Sequence, residues 1–162
     1  MDIESRIAEL KLQLPPPPKP GGLYRPVVVV GDLAYASGHA PLRGDGTRIT
    51  GQVGAELDVQ AGKAAARQAG LAILATLRNE LGTLNHLKRV VKVFGMVNCT
   101  PDFFRHPDVI NGCSELFVEL LGSERGIGAR SAAGMNSLPG NIAVEIEAIF
   151  EIECVPAAPA HG

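Results

Sequence analysis

The stretch ARSAAGMNSLPGNIAVEIEAIFEIE, residues 129–153, holds two side chains whose types and spacing suit chemistry. Arg130 heads a run of small residues, and Glu145 opens a ladder of four glutamates fifteen positions later. Arg130 alternates with Ala132, Gly134 and Asn136, so its guanidinium has room beside it. A planar fork in such a space suits a carboxylate held through two parallel hydrogen bonds. By pattern alone, an ion pair at a surface or interface is the favoured reading of Arg130. Glu145 lies next to the LPGN turn, at a strand end where a carboxylate can hold water and move a proton. Its followers Glu147, Glu151 and Glu153 share a face opposite Val144, Ile146, Ala148, Phe150 and Ile152. They read as the solvated side of an amphipathic strand.

Direct pairing of the two strands across LPGN would set Glu145 opposite Gly134, four residues from Arg130. At about 3.3 Å per residue the two groups would then stand roughly 13 Å apart. To share a small ligand, the strands must not be simple neighbours, or the site must draw on two chains.

Other reactive side chains form no comparable pattern. His39, in SGHAP at a strand end, is a candidate site residue, whereas His86, His106 and His161 fall in loops with no metal-ligand spacing. Cys99, Cys113 and Cys154 are too widely spaced for a zinc site or a disulfide framework and read as buried reduced thiols. Cys113 lacks a histidine partner that would make it a nucleophile. The triplet Arg43-Gly44-Asp45 reads as a turn, and Asn98-Cys99-Thr100 as a glycosylation pattern without a secretory context. There is no phosphate-binding or dinucleotide glycine motif.

The elements that must position Arg130 and Glu145 emerge from periodicity. Ile3, Ile7 and Leu10 predict an amphipathic helix over 3–14, with Asp2 as its cap. LPPPPKPGG is a polyproline arm ending in a glycine pair. Two β-rich runs flank Gly31-Asp32 as a hairpin, and a short third strand is expected around 47–53. Ala66, Gly70, Ile73, Leu77 and Leu81 predict a helix from about 58 to 81, closed by Gly82. Residues 88–99 suit a central strand, and Pro107 opens a second helix ending at Gly122. Strands at about 129–136 and 142–153 close the order β-β-β-α-β-α-β-β, an α+β sheet with helices on one face.

Composition narrows the function classes. The 162 residues suit one domain, divided as an arm over 1–22, a domain over 23–155 and a tail over 156–162. A net charge of −2 and 4% aromatic residues supply neither an electrostatic footprint nor stacking platforms for nucleic acid. No apolar run spans a bilayer and no signal peptide is visible, so a cytoplasmic location without membrane association is expected.

These pieces resemble the RidA/YjgF family of reactive-intermediate (enamine/imine) deaminases, a family often labelled endoribonuclease L-PSP. The resemblance runs from about Tyr24 to Glu151. It is carried by A-R-S, L-P and V-E-I-E-A-I near the C-terminus, and by G-L-Y, A-S-G-H-A-P, V-V-K-V and V-I-N earlier in the chain. It implies a chorismate-mutase-like fold and a homotrimer whose sheets form a central barrel, with ligand clefts between subunits. In that frame Arg130 matches the arginine that clamps a substrate carboxylate. Glu145 matches the acid that positions or activates water, and Tyr24, Ser37, Gly38 and Asn111 match cleft-lining positions. The chain departs from the family's best-studied members at Ala132, where they have Cys, at His39, where they usually have Gln, and at Arg25, where they have Ser. His39 and Ala132 are therefore counted with the ligand-contacting positions, and His39 and Arg25 are expected to narrow or recharge the cleft.

The implied reaction is hydrolysis of small imines to 2-keto acids and ammonia, with neither metal nor cofactor. The implied ligand is a small metabolite bearing a carboxylate. An alternative from another class is a trimeric regulatory protein that binds such a metabolite in the same cleft without turning it over. The family's endoribonuclease label finds little support in a chain of net negative charge.

Overall fold

The computed structural model of the chain describes residues 2–153. Its first helix, α1 (Ile3–Glu9), starts where the Asp2 carboxylate accepts from the Ser5 N–H. It stops earlier than the spacing of apolar residues predicts. Lys11 adopts φ +53°, and the Lys11 and Leu12 N–H groups return to the carbonyls of Ala8 and Ile7. That pattern is a Schellman ending with a non-glycine residue in the left-handed position. Ile3 and Ile7 are buried and join the main core. The Glu4 carboxylate accepts from Arg78 at 2.6 Å and from the Leu84 N–H at 2.9 Å, tying the helix to the rest of the chain.

Beyond the proline arm, β1 (Val27–Val30) and β2 (Leu33–His39) form the expected hairpin, with Gly31 at φ +63° in the two-residue turn. The strand expected at 47–53 is not formed. That segment makes only single bridges, Leu42 to Arg48, Thr50 to Ile142 and Val53 to Leu57 and Cys99. The physical reason is local: the Asp45 carboxylate takes the Thr47 N–H and hydroxyl, closing a turn where a strand would have to begin. The helix α2 (Val59–Leu81) runs as the periodicity predicts, from an Asp58 cap to Gly82 at φ +79°. The strand β3 (Leu87–Asn98), the helix α3 (His106–Leu121) and the strands β4 (Ala129–Met135) and β5 (Val144–Ile152) complete the order.

The sheet order is β1-β2-β5-β3-β4, with β3 and β4 parallel and every other pair antiparallel. The last two strands of the chain are therefore not neighbours, because β3 lies between them. Helices α2 and α3 cover one face. Val144, Ile146, Ala148, Phe150 and Ile152 are all buried beneath them, with Phe150 edge-on to Phe117 of α3 at 5.4 Å. No described helix is long and apolar enough to cross a membrane. Cys99 and Cys113 are buried free thiols, and burial pushes the Cys113 thiol up to about 12, so it stays protonated. Cys154 and the 156–162 tail lie outside the described residues.

The two long helices approach closely enough to forbid side chains at their crossing. A Cβ added at Gly112 of α3 would run into the Lys63 carbonyl of α2, and one at Gly70 would meet Leu116 and Cys113. Gly112 matters most, because backbone cannot swing aside and because Asn111 and Ser114 sit beside it. Alanine would normally gain ~1 kcal/mol over glycine in a helix. Here overpacking should reverse the sign, with a net loss of about 1–3 kcal/mol for Gly112→Ala. Urea denaturation of the two proteins measures it, and a stabilised variant would show that α2 and α3 do not meet as described.

Candidate functional site

The positions singled out by sequence fall into two groups on opposite faces of the sheet. Cross-strand partners share a face, and Arg130 is registered with Val93, which in turn pairs with Ala148. Val93 and Ala148 are buried under the helices, so Arg130 belongs to the helix-covered face. Glu145 is registered with Met96, on the face that carries no helix. Two inter-strand spacings and three residues of register put their Cα atoms roughly 14 Å apart. The sheet itself stands between the two side chains. Separating the strands thus does not unite the pair within one chain.

On the helix-covered face, the Arg130 Nη1 donates to Asn111 Oδ1 at 2.7 Å and to Ser114 Oγ at 3.1 Å. Asn111 and Ser114 are three apart on α3 and so point the same way. Among the described residues no carboxylate forms an ion pair with Arg130, which corrects the expectation of such a pair within the chain. The guanidinium is oriented by neutral oxygens and keeps donors for something else. It opens on a cavity of about 630 Å³ whose walls include Val93, Val118 and Ile127. The nearby acids are already engaged: Glu119 is held by Arg67 at 2.7 Å and Glu115 by Lys63 at 2.7 Å. Ala132 lies two residues further along the same face, half-buried against the core. Ser114 was missed in the sequence, although its i+3 relation to Asn111 could have marked it.

On the other face, a cleft of about 600 Å³ contains Tyr24, Ser37, Gly38 and Glu145. A β-bulge makes this possible. Between Ala36 and His39, β2 carries one residue more than its partner β5, which turns Ser37 and Gly38 out of the ladder. The Ser37 hydroxyl donates to the Arg25 carbonyl at 2.6 Å, and the Tyr24 hydroxyl accepts from the Gly21 N–H at 3.2 Å. The first bond ties the chain after the arm to β2, and the second closes a local turn at the end of the arm. Gly38 leaves room for the Glu145 carboxylate: a Cβ there would meet it and push that side chain aside. Burial, and then the neighbouring Glu147 charge, raise the Glu145 pKa above the usual carboxylate range. The turn leading into Glu145 is pinned by buried Asn98, whose amide donates to the Asn141 side chain at 3.1 Å and to the Ile142 carbonyl at 3.2 Å. Asn98 drew attention in the sequence only as part of a glycosylation pattern.

His39 lines the cleft, but its imidazole is turned into the core. Its side chain is only 3% exposed, and both ring nitrogens are occupied. Nδ1 lies 2.6 Å from the Ser37 carbonyl and must donate to it, so Nε2 accepts from the Thr76 hydroxyl at 2.8 Å. Burial lowers its pKa, which keeps the ring neutral. The expectation that His39 recharges the cleft is therefore corrected: its imidazole fixes the bulge to α2. The remaining glutamates behave as a strand face. Glu147 is exposed, Glu151 lies 3.6 Å from Lys88, and Glu153 lies 3.7 Å from His86.

The chain is similar to known proteins along most of its length. Residues 4–146 match the family described as "YjgF/chorismate_mutase-like, putative endoribonuclease". The chain is 37% identical over 150 residues to Protein TCP17 of Trypanosoma cruzi, covering 93% of this chain and 94% of that protein. A solved structure of Atu1372 from Agrobacterium tumefaciens, described as of unknown function, is 41% identical with a TM-score of 0.83, over 93% of this chain and 91% of that one. RidA from an Antarctic Psychrobacter species is 28% identical with a TM-score of 0.59, over 86% and 94%. The chain belongs to the YjgF/chorismate-mutase-like family.

Proposed function

We propose that the protein hydrolyses small enamine- and imine-type intermediates to 2-keto acids and ammonia, at clefts formed between subunits of a homotrimer. The observation that carries this reading is the division of the site. An oriented, unpaired guanidinium and a carboxylate with a raised pKa lie on opposite faces of one sheet, so each is half of a site that a second copy completes. The helix-free face supports the assembly. It exposes Val28 and Tyr35 beside partly covered Ile149, Phe94 and Met96, an apolar patch suited to burial against another subunit. The RidA relative supports the class of reaction. The expected site also includes Tyr24, Ser37, Gly38 and Asn111, with Ala132 beside the clamp and the backbone of His39 at the bulge.

The chemistry is simple enough for these groups. Arg130, held by Asn111 and Ser114, binds the substrate carboxylate through two hydrogen bonds. Water held by Glu145 adds to C2 of the imine while its proton passes to the carboxylate. Glu145 passes that proton to the imine nitrogen, giving a neutral carbinolamine. It then takes the carbinolamine hydroxyl proton and delivers it to nitrogen, so that the carbonyl forms as the C–N bond breaks and ammonia leaves with the electron pair. The 2-keto acid remains. Proton transfer of this kind is worth about 10²–10⁴-fold, and a carboxylate with a raised pKa is closer to the ideal for it. Gly38 leaves the space in which the Glu145 carboxylate and its water stand.

Freshly generated imines, made by a flavin amino-acid oxidase, test the reading through the rate of keto-acid release. Arg130→Ala should raise KM about 10–100-fold, the worth of a charge-assisted pair, with a smaller effect on kcat. Wild-type rates with this variant would remove the clamp. No acceleration by the wild-type protein would leave a binding protein only.

Glu145→Gln should lower kcat by about 10²-fold or more. Its stability should move the other way. A carboxylate whose folded pKa is raised loses stability as pH climbs through that value. The variant should therefore melt higher than wild type at pH 7 and no higher near pH 4. Glu147→Gln should shift the acidic limb of the kcat/KM profile toward lower pH, because Glu147 is one of the causes of the raised value. An unmoved limb would assign it to another group.

A further inference from the structure

The cleft around Glu145 is larger than a three-carbon enamine requires. Its 600 Å³ is the space of about twenty water molecules. Two of its walls come from segments outside the sheet: the proline arm, through Pro18 to Gly22, and the loop that carries Arg48. The arm does not hang free. Ser37 ties the chain at Arg25, just beyond its C-terminal end, and at the other end α1 is anchored through Glu4 to Arg78 and Leu84. Lys19 lies on this strap and Arg48 on the loop, with the guanidinium 3.9 Å from the Cβ position of Gly140 in the turn before Glu145.

The distribution of charge partners singles out these two side chains. Of the fifteen Lys and Arg residues, eleven have an ion-pair or hydrogen-bond partner for the side chain among the described residues. The four without one are Lys11, Lys19, Arg25 and Arg48, and two of those four line this single cleft. They do not serve Glu145. The causes that shift its pKa are burial and Glu147, and both raise it; no cation lowers it. Lys19 and Arg48 line the cleft with their charges unspent on a partner among the described residues.

The geometry points to a ligand with a second anionic group: the cleft takes substrates whose far end carries a carboxylate or phosphate, received by Lys19 and Arg48. This rests on the deaminase reading for the position of the first carboxylate at Arg130, and it narrows the substrate class from any small 2-imino acid to doubly anionic ones. It also gives the arm a role as the wall that supplies one of the two cations.

Calorimetric binding of two product-like keto acids to the intact protein decides it. 2-Oxoglutarate and 5-methyl-2-oxohexanoate have the same shape and differ in the charge of the far end. Wild type should bind 2-oxoglutarate about ten-fold more tightly. The ratio should shrink toward unity in the double variant Lys19→Gln, Arg48→Gln, and on raising the salt concentration. Replacing 2-oxoglutarate by a keto acid with a terminal phosphate tells which anion the pair prefers. Equal affinities in wild type, or a preference that survives in the double variant, overturns the assignment. If the uncharged analogue binds and its affinity depends on Arg130, the deaminase site stands while this inference alone fails. Binding of neither keto acid removes both.

Discussion

Everything about the site depends on the insertion of β3 between β4 and β5. Had the last two strands paired as a hairpin, Arg130 and Glu145 would lie on adjacent strands, and the register alone would set their distance. With β3 in the middle, running parallel to β4 and antiparallel to β5, each side chain takes its face from a different partner. Val93 sets Arg130 on the helix side of the sheet, exposed on the edge strand β4, and Met96 places Glu145 on the open side. A sheet cannot be crossed by side chains that are covalently committed to opposite faces. Within a single chain the two side chains therefore cannot meet on one small ligand.

Arg130 and Glu145 share one property: among the described residues neither is paired with an opposite charge. Arg130 rests on an amide and a hydroxyl from α3, a helix whose placement depends on Gly112 lying flat against α2. Glu145 stands in the gap left by Gly38, after a turn held by Asn98. An internal salt bridge would have stabilised either charge and used up its hydrogen-bonding capacity within the protein. Leaving both without one costs stability, and such costs are characteristic of sites that must bind something else.

His39 shows how a sequence position can be legible while its role is not. Its place at the end of β2, inside a motif shared with the family, marked it as part of the cleft wall. The bulge that turns Ser37 and Gly38 outward sends the next side chain the opposite way, into the core, where Thr76 completes its hydrogen bonding. One extra residue in a strand reverses the face of every residue after it, and nothing in ASGHAP announces where that extra residue falls. The failed strand at 47–53 has a related cause. Local hydrogen bonds from Asp45 closed a turn that β-propensity could not oppose without a neighbouring strand to pair with.

The sequence by itself determined the long helices, the hairpin at Gly31-Asp32, the apolar face of β5 and the α+β class, because each rests on periodicity and on residues within a few positions of one another. It also singled out Arg130, Glu145 and the positions around them through the family resemblance. Only the tertiary structure decided which strands are neighbours, that Arg130 has no acid partner among the described residues, and that Glu145 faces away from it. It alone brought Lys19 and Arg48, twenty-nine positions apart, into the lining of one cleft. The physical reason is that face and neighbourhood are set by register and packing between segments distant in the chain, and those contacts leave no periodic trace in the order of residues.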